Sequence, residues 1–308
     1  MSCSNNSRTE RAHNVTKTVV IAGATGCLGR FLVSECNERK WCVIALVRNI
    51  SKVQDAFPDE VKIVQAQVTQ PETLEGVFAE EVHMVVSAVG ITRQRDGVTY
   101  QDVDYQANQN LLDQAIRAKV PQFCHIHVLG GESMAHLKAI KAKQDFVDSL
   151  QQAVTDGRIK NATVVAPNGF FSDMKDFLDM ARSGRAYLFG DGQKTINPIH
   201  DADLAKATAD AVAIQRQRLD VGGPDVFAHE ELAKLAFDVL GEPVRITFLW
   251  DWVRTSVIGP LPWISPLTVH GPAQFFLTSM GQDMAGERCG EHHLKDHFQQ
   301  LLQEQNQD

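Results

Sequence analysis

Six cysteines are present, Cys3, Cys27, Cys36, Cys42, Cys124 and Cys289, and no two form a CxxC pair. That spacing excludes a zinc knuckle and a disulfide framework, and it suits a reducing compartment, the cytoplasm or an organelle such as a plastid. A basic block is also missing. Formal net charge is -8, from 30 Lys and Arg against 38 Asp and Glu, which excludes a nucleic-acid surface as the main role. Long apolar runs are absent as well. The most apolar stretch, 248–267, is broken by Asp251, Arg254 and three prolines, so no integral membrane span is expected there; it reads as a pocket cap or as contact with a protein partner. Residues 1–16 contain no apolar core of a secretory signal and read as a disordered tail, although their Ser/Arg-rich character also fits an organellar leader.

What is present is an ordered series of strand, turn and helix signals. Val19, Val20 and Ile21 run directly into Gly23, Gly26 and Gly29, after which FLVSECNER has helical spacing. The glycines have separate physical tasks: a tight turn, a close backbone approach to a pyrophosphate, and close packing of helix on strand. The phosphates then meet free N–H groups at the positive helix end. Within GATGCLG, residues Gly23, Thr25, Gly26, Cys27, Leu28 and Gly29 are therefore the expected cofactor contacts.

A second strand, 42–49, ends in Arg48 where an NAD site usually carries an acid, so the expected cofactor is NADP. Arg30 and Lys52 either add charge near a 2'-phosphate or are ordinary solvated cations. Further strands are expected over 61–68, 84–90 and 123–130, with helices between them, and TVV (163–165) ends a sixth. The predicted class is α/β: a Rossmann-type doubly wound parallel sheet with a smaller C-terminal substrate lobe. Its expected divisions are a cofactor core over 17–165 and a segment over 166–308 that completes the sheet and forms the lobe. Ligands of such sheets bind beyond the carboxyl ends of the strands. This rule selects Ser87, Ala88, Val89 and Gly90, then Pro167, Asn168, Gly169 and Phe170, and puts His127 on the same side.

Taken together, GATGCLG, LVR, SAVG, VDYQANQNLL, APNGFFSDM and NPIHDADLA resemble the atypical short-chain dehydrogenase/reductases. The branch is the NmrA-like and sugar-epimerase-like one, and the likeness runs over about 17–225. The resemblance implies NADP binding, a Tyr four residues before a Lys as proton carrier and ribose holder, and a Ser ending the fifth strand. This chain departs from it. Lys141 and Lys143 follow Leu137 and Ala139 at that spacing, and the Ser position falls on His127. Relatives without the Tyr reduce carbon–carbon double bonds, or bind NADP without turnover as redox sensors or assembly factors.

Three catalytic candidates remain. His127 can exchange a proton near neutral pH, or can be a strand-end imidazole held by backbone or water. Lys141 or Lys143 is the ribose-holding cation that the resemblance implies. Phe146 and Leu150 should face the core, which favours Lys143. The resemblance also implies that Asn108 bonds backbone near that lysine. His200 in NPIH is a further ligand candidate, while Asp201 or Asp203 suits the cap of the following helix. His293 and His297 share a helical spacing but lack a third ligand, so no metal is expected. Two functions follow: an NADPH-dependent reductase of a small apolar or conjugated molecule, in a cleft roofed by 168–190 and 248–280, or a non-catalytic NADP-binding regulator.

Overall fold

A computed structural model describes residues 17–53, 56–91, 97–260, 263 and 266–305, so the expected tail 1–16 lies outside the described residues. Strand β1 (Thr18–Ala22) is the centre of the fold. Val19, Val20, Ile21 and Ala22 are all 0% exposed, the mark of a parallel strand covered on both faces. β2 (Cys42–Val47) and β3 (Lys62–Gln65) extend the sheet on one side of it. On the other lie β4 (Met84–Ser87), β5 (Gln122–Ile126) and β6 (Asn161–Pro167).

β7 (Ala186–Phe189) and β8 (Thr195–Ile196) lie outside that sheet, whereas β9 (Arg218–Gly222) joins it beside β6. β10 (Phe227–Ala228) pairs with β8, β11 (Ile246–Leu249) with β7, and β12 (Glu287–Arg288) closes the sheet edge. The large sheet runs in the order β12-β9-β6-β5-β4-β1-β2-β3, and every pairing in it is parallel. The chain reverses direction across the sheet between β1 and β4, so the crevice for a ligand opens beyond their carboxyl ends.

Helices cover both faces, as the doubly wound expectation requires. On one face, α1 (Cys27–Glu38) and α5 (Asp201–Ala213) bury Leu32 and Leu204 against Val19, Ile21 and Val43. On the other, α2 (Asn108–Arg117) and α3 (Lys138–Thr155) bury Leu111, Phe146 and Leu150 against Val20 and Phe123. The smaller lobe has its own core. There α4 (Lys175–Arg182), α6 (His229–Leu240) and the helix Leu294–Gln305 bring Phe177, Phe237 and Phe298 together.

The strands end earlier than their apolar runs suggest. The fourth stops at Ser87, not Gly90, because residues beyond it bend over the crevice, although the Ala88 N–H still donates to Ala22 O. The fifth stops at Ile126, yet the His127 and Leu129 N–H groups go on to Val165 O and Pro167 O. Apolar character follows burial, and burial persists after the ladder ends. The segment after β11 carries α7 (Asp251–Ile258), none of whose residues is buried. Trp250, Trp252 and Trp263 stand exposed on it and near it. Among the described residues no helix is long and apolar enough to cross a membrane.

Alternation along β5 sends Phe123 and His125 towards α3 and Cys124 and Ile126 towards α1 and α5. Phe146 is the keystone of the α3 side, with its ring centroid 5.7 Å from Phe123 and 4.7 Å from His125. Phe146→Ala is expected to cost about 3–5 kcal/mol of stability by cavity formation. Urea unfolding of the two proteins measures it; a loss below about 1 kcal/mol would show that α3 repacks freely.

Candidate cofactor cleft

The glycine turn has the shape that its sequence requires. Gly23 has φ +81°, a conformation that disfavours any side chain, and a Cβ there would lie 2.7 Å from Ala88 O. At Gly29 a Cβ would fall 2.0 Å from Gly23 O, so α1 reaches the strand only because this position is bare. Gly26 starts α1 without a side-chain cap, and the first turn carries no acid. The N–H groups of Cys27, Leu28 and Gly29 are thus left for an anion, a cradle that fits a pyrophosphate. Thr25 sits half-buried in the turn and Arg30 is exposed one turn into α1.

Register places Arg48 at the same end. Ala22 is level with Leu46, so Arg48 stands just beyond the strand at the end where the glycine turn begins, the residue exposed and its carbonyl accepting from Gln65 Nε2 at 3.3 Å. Lys52 is exposed in a short turn that follows.

Beyond β4 lies the most polar part of the crevice. Ser87 Oγ donates to Asn108 Oδ1 at 2.5 Å. The Asn108 amide donates to Val89 O at 3.3 Å, Val103 O at 3.2 Å and Asp104 O at 3.0 Å, which fixes the 87–90 turn against the helix. Asn108 follows a π-helical stretch, Gln101–Ala107, that widens the entry to α2. Lys143 Nζ lies 2.6 Å from Asp104 Oδ1, with the carboxylate side chain 0% exposed and the lysine side chain 19%. Gly90 covers this pair: a Cβ there would fall 2.5 Å from Lys143 Nζ and 2.8 Å from Asp104 Oδ1. Lys141 points elsewhere, to Asp145 at 2.8 Å, its side chain 63% exposed. Of the two lysines, only Lys143 reaches the crevice.

Asp104 was missed from the sequence. A signal existed, since it precedes Asn108 by four residues and so shares its helical face. Burial of that carboxyl pushes its pKa up, against the opposing pull of Lys143.

His127 lies under the 129–131 turn, not in the open crevice. The residue is 4% exposed, and a Cβ on Gly131 would fall 2.2 Å from Nε2. Gln144 Nε2 donates to Asp148 at 2.8 Å, which turns Oε1 towards His127 Nε2 at 3.1 Å and assigns the proton to that ring nitrogen. Burial, then the Lys143 charge, lowers the His127 pKa to about 4. The imidazole is neutral at pH 7. His125, two residues earlier and fully buried, is held well below the usual range by the same two causes.

At the end of β6, Pro167, Gly169 and half-buried Phe170 follow the sheet into the crevice wall. Asn168 is committed to a clasp: its Nδ2 donates to Asn197 Oδ1 at 2.5 Å and Met284 O at 2.6 Å. Asn197 continues it to Gly223 O at 2.9 Å. His200, not Asp201 or Asp203, caps α5, with Nδ1 accepting from the Ala202 N–H at 3.1 Å. The carboxylate expected to cap is engaged elsewhere: Asp203 accepts from the N–H groups of Glu291 and His292 at 3.1 and 3.0 Å. His200 stacks on His292 at 4.2 Å, while His293 pairs with Asp225 at 2.7 Å and His297 packs on Phe171.

A family model described as NAD(P)H-binding matches residues 23–213, from the glycine turn to the end of α5. The chain belongs to that NAD(P)H-binding family. It is of the atypical short-chain dehydrogenase/reductase type. Among curated relatives, the chloroplastic divinyl chlorophyllide a 8-vinyl-reductase of Zea mays is 26% identical, over 89% of this chain and 74% of its own. The photosystem II assembly factor of Synechocystis is 25% identical, over 74% of this chain and 69% of its own. The Escherichia coli NADPH-dependent quinone oxidoreductase solved with NADPH has TM-score 0.71 at 16% identity, covering 92% of this chain and 99% of that one, a likeness of fold.

Within this NAD(P)H-binding chain the buried histidines carry a pH signature. His127 and His229 both have pKa values lowered to about 4 by burial, whereas the unfolded chain takes up their protons near 6.5. The unfolded state therefore binds more protons below pH 6.5, and stability falls as pH drops towards 4, by up to about 1.4 kcal/mol per pH unit for each residue. Asp201, raised to about 6 by burial and then by Asp173, acts in the opposite direction. His127→Gln should flatten the acid limb by one proton in urea unfolding across that range; an unchanged slope would place the His127 ring in water.

Proposed function

We propose that the protein is an NADPH-dependent reductase of a small apolar or conjugated molecule, acting on a carbon–carbon double bond in preference to an alcohol or ketone. One observation carries this reading. The lysine of the crevice is retained and tightly held, while Ala139 replaces the phenol ahead of it and a buried, neutral His127 stands at the serine position. Bound NADPH would supply hydride from its nicotinamide; the residues at hand supply binding and charge. Gly23, Gly26 and Gly29 cradle the pyrophosphate, Ala88, Val89 and Gly90 line the nicotinamide end, and Lys143 faces the ribose and the developing negative charge of the substrate. The 8-vinyl-reductase relative supports this reaction class, and its chloroplastic name supports a plastid location. His127 enters the reading as a wall of the site, and proton delivery is assigned to Lys143 or to a group of the substrate.

A second reading, a non-catalytic regulator or assembly factor, is favoured by a different observation. Trp250, Trp252 and Trp263 are 75%, 65% and 89% exposed, an aromatic surface suited to a protein partner over 248–267, and one relative is an assembly factor. Mixing the protein with NADPH and a panel of enones, quinones and vinyl-substituted tetrapyrroles decides between them. Loss of NADPH absorbance with any of these supports the reductase; tight binding without turnover on all of them supports the regulator.

Preference for NADP rests on Arg48, which is exposed beyond β2 where an acid would hold an NAD ribose. A charge-assisted contact to the 2'-phosphate is worth about 1.5–3 kcal/mol. Arg48→Glu should thus weaken NADPH binding by roughly 10- to 100-fold while leaving NADH binding unchanged or tighter, as fluorescence titration would show. Equal losses for the two nucleotides would remove Arg48 from the 2'-phosphate.

A further inference from the structure

Asp104 is a buried charged group of the crevice with no place in the usual apparatus of such a site. Its side chain is 0% exposed, and an ionised carboxylate at such depth is expelled, neutralised or paired. Lys143 Nζ, 2.6 Å away, is its charged partner. The pair is not a staple deep in the core. Gly90 lies directly over both atoms, and in the cofactor reading above residues 88–90 line the nicotinamide end. Lys143 also retains 19% exposure, which a core-packing lysine would not need.

The other groups around the pair are neutral. Tyr100 faces the carboxylate from the helical stretch, its phenol pushed up by burial and then by Asp104. The Ile91 backbone faces it from the turn after β4, lowering its pKa. Also near Lys143 are His125 on β5 and His127 just beyond it, and both lose proton affinity to burial and then to the lysine charge. Two imidazoles cannot stabilise an ammonium that is itself part-buried. Asp104 is the charge that can.

We infer that Asp104 is a positioning residue: its carboxylate holds the Lys143 ammonium, charged and fixed in place, at the nicotinamide-ribose end of the cleft. The inference rests on the cofactor reading above. With the phenol gone, no hydroxyl from the residue four before Lys143 helps to orient it, and the π-helical stretch packed against α3 brings a carboxylate instead. Chemically, the cleft takes a cation-seeking ligand, the ribose and the electron-rich end of a substrate, at a point countercharged from behind.

The test is a double-mutant cycle on NADPH binding, read by nucleotide fluorescence from roughly pH 6 to roughly pH 9 with circular dichroism as the folding check. Asp104→Asn should weaken binding roughly tenfold, and by more at higher pH, because a desolvated ammonium without its counter-ion gives up its proton more easily. Lys143→Met should weaken it by a similar factor at every pH, and adding Asp104→Asn to it should cost nothing more. Asp104→Glu, which keeps the charge, should restore most of the affinity and the flat pH profile. If Asp104→Asn does not fold, the same cycle is run with Asp104→Glu: its smaller loss should vanish in the Lys143→Met background. Wild-type affinity at every pH in the Asn variant, or losses that add in the double variant, would reduce Asp104 to a helix staple. Failure of the wild-type protein to bind NADPH would instead overturn the cofactor reading.

Discussion

Contact between two backbones, Gly23 and Gly29, governs everything downstream of β1. With a Cβ only 2.0 Å from a carbonyl oxygen, any side chain at Gly29 would push α1 off the strand. The helix start would then leave the crevice between β1 and β4, and α5, which packs on α1, would shift with it. The anion cradle, the position of Ala88 and the alignment of the cap at His200 all follow from this approach. Binding of a dinucleotide is thus built into the packing of the core and does not depend on flexible side chains.

A second constraint is electrostatic. The region at the ends of β4 and β5 contains a carboxylate, an ammonium, two imidazoles and the Asn108 amide, all largely removed from water, with the half-buried Gln144 amide beside them. Such a group of polar residues persists only if each charge has a partner. Asn108 uses both ends of its amide, Gln144 orients His127, and Asp104 faces Lys143. The price is acid sensitivity, since the histidines are neutral in the native state and take up a second proton on unfolding below about pH 6.5.

Much of this was legible in the sequence because backbone constraints leave strong marks. GATGCLG follows an apolar run of strand length, and no other residue fits at Gly23 and Gly29, so the cofactor turn could be read directly. The phase of Phe146 and Leu150 selected Lys143 over Lys141, since a helix face is fixed by its core positions. Long-range encounters left no such mark. Asp104 and Lys143 meet across two helices separated by β5, and nothing local in VDYQAN announces that partner. Strand ends were overrun for a related reason: residues 88–89 and 127–129 remain apolar or buried after leaving the ladder.

His127 shows how far residue chemistry and site geometry can diverge. An imidazole at the end of a central strand, on the ligand side of a Rossmann sheet, has the right type and position for proton transfer. Its surroundings remove the property that made it attractive. Gly131 lies against the ring, Gln144 fixes one nitrogen, and burial with a nearby ammonium leaves it neutral far below pH 7. Burial first, and then the charge of the lysine that Asp104 faces, keeps His127 neutral. Charge in this cleft is concentrated on Lys143: β5 and the residue after it keep uncharged imidazoles near it, while the π-helical stretch supplies the counter-ion. A site organised in this way favours stabilising negative charge on a ligand over passing a proton between side chains, which matches a cleft that has kept its lysine and lost its phenol.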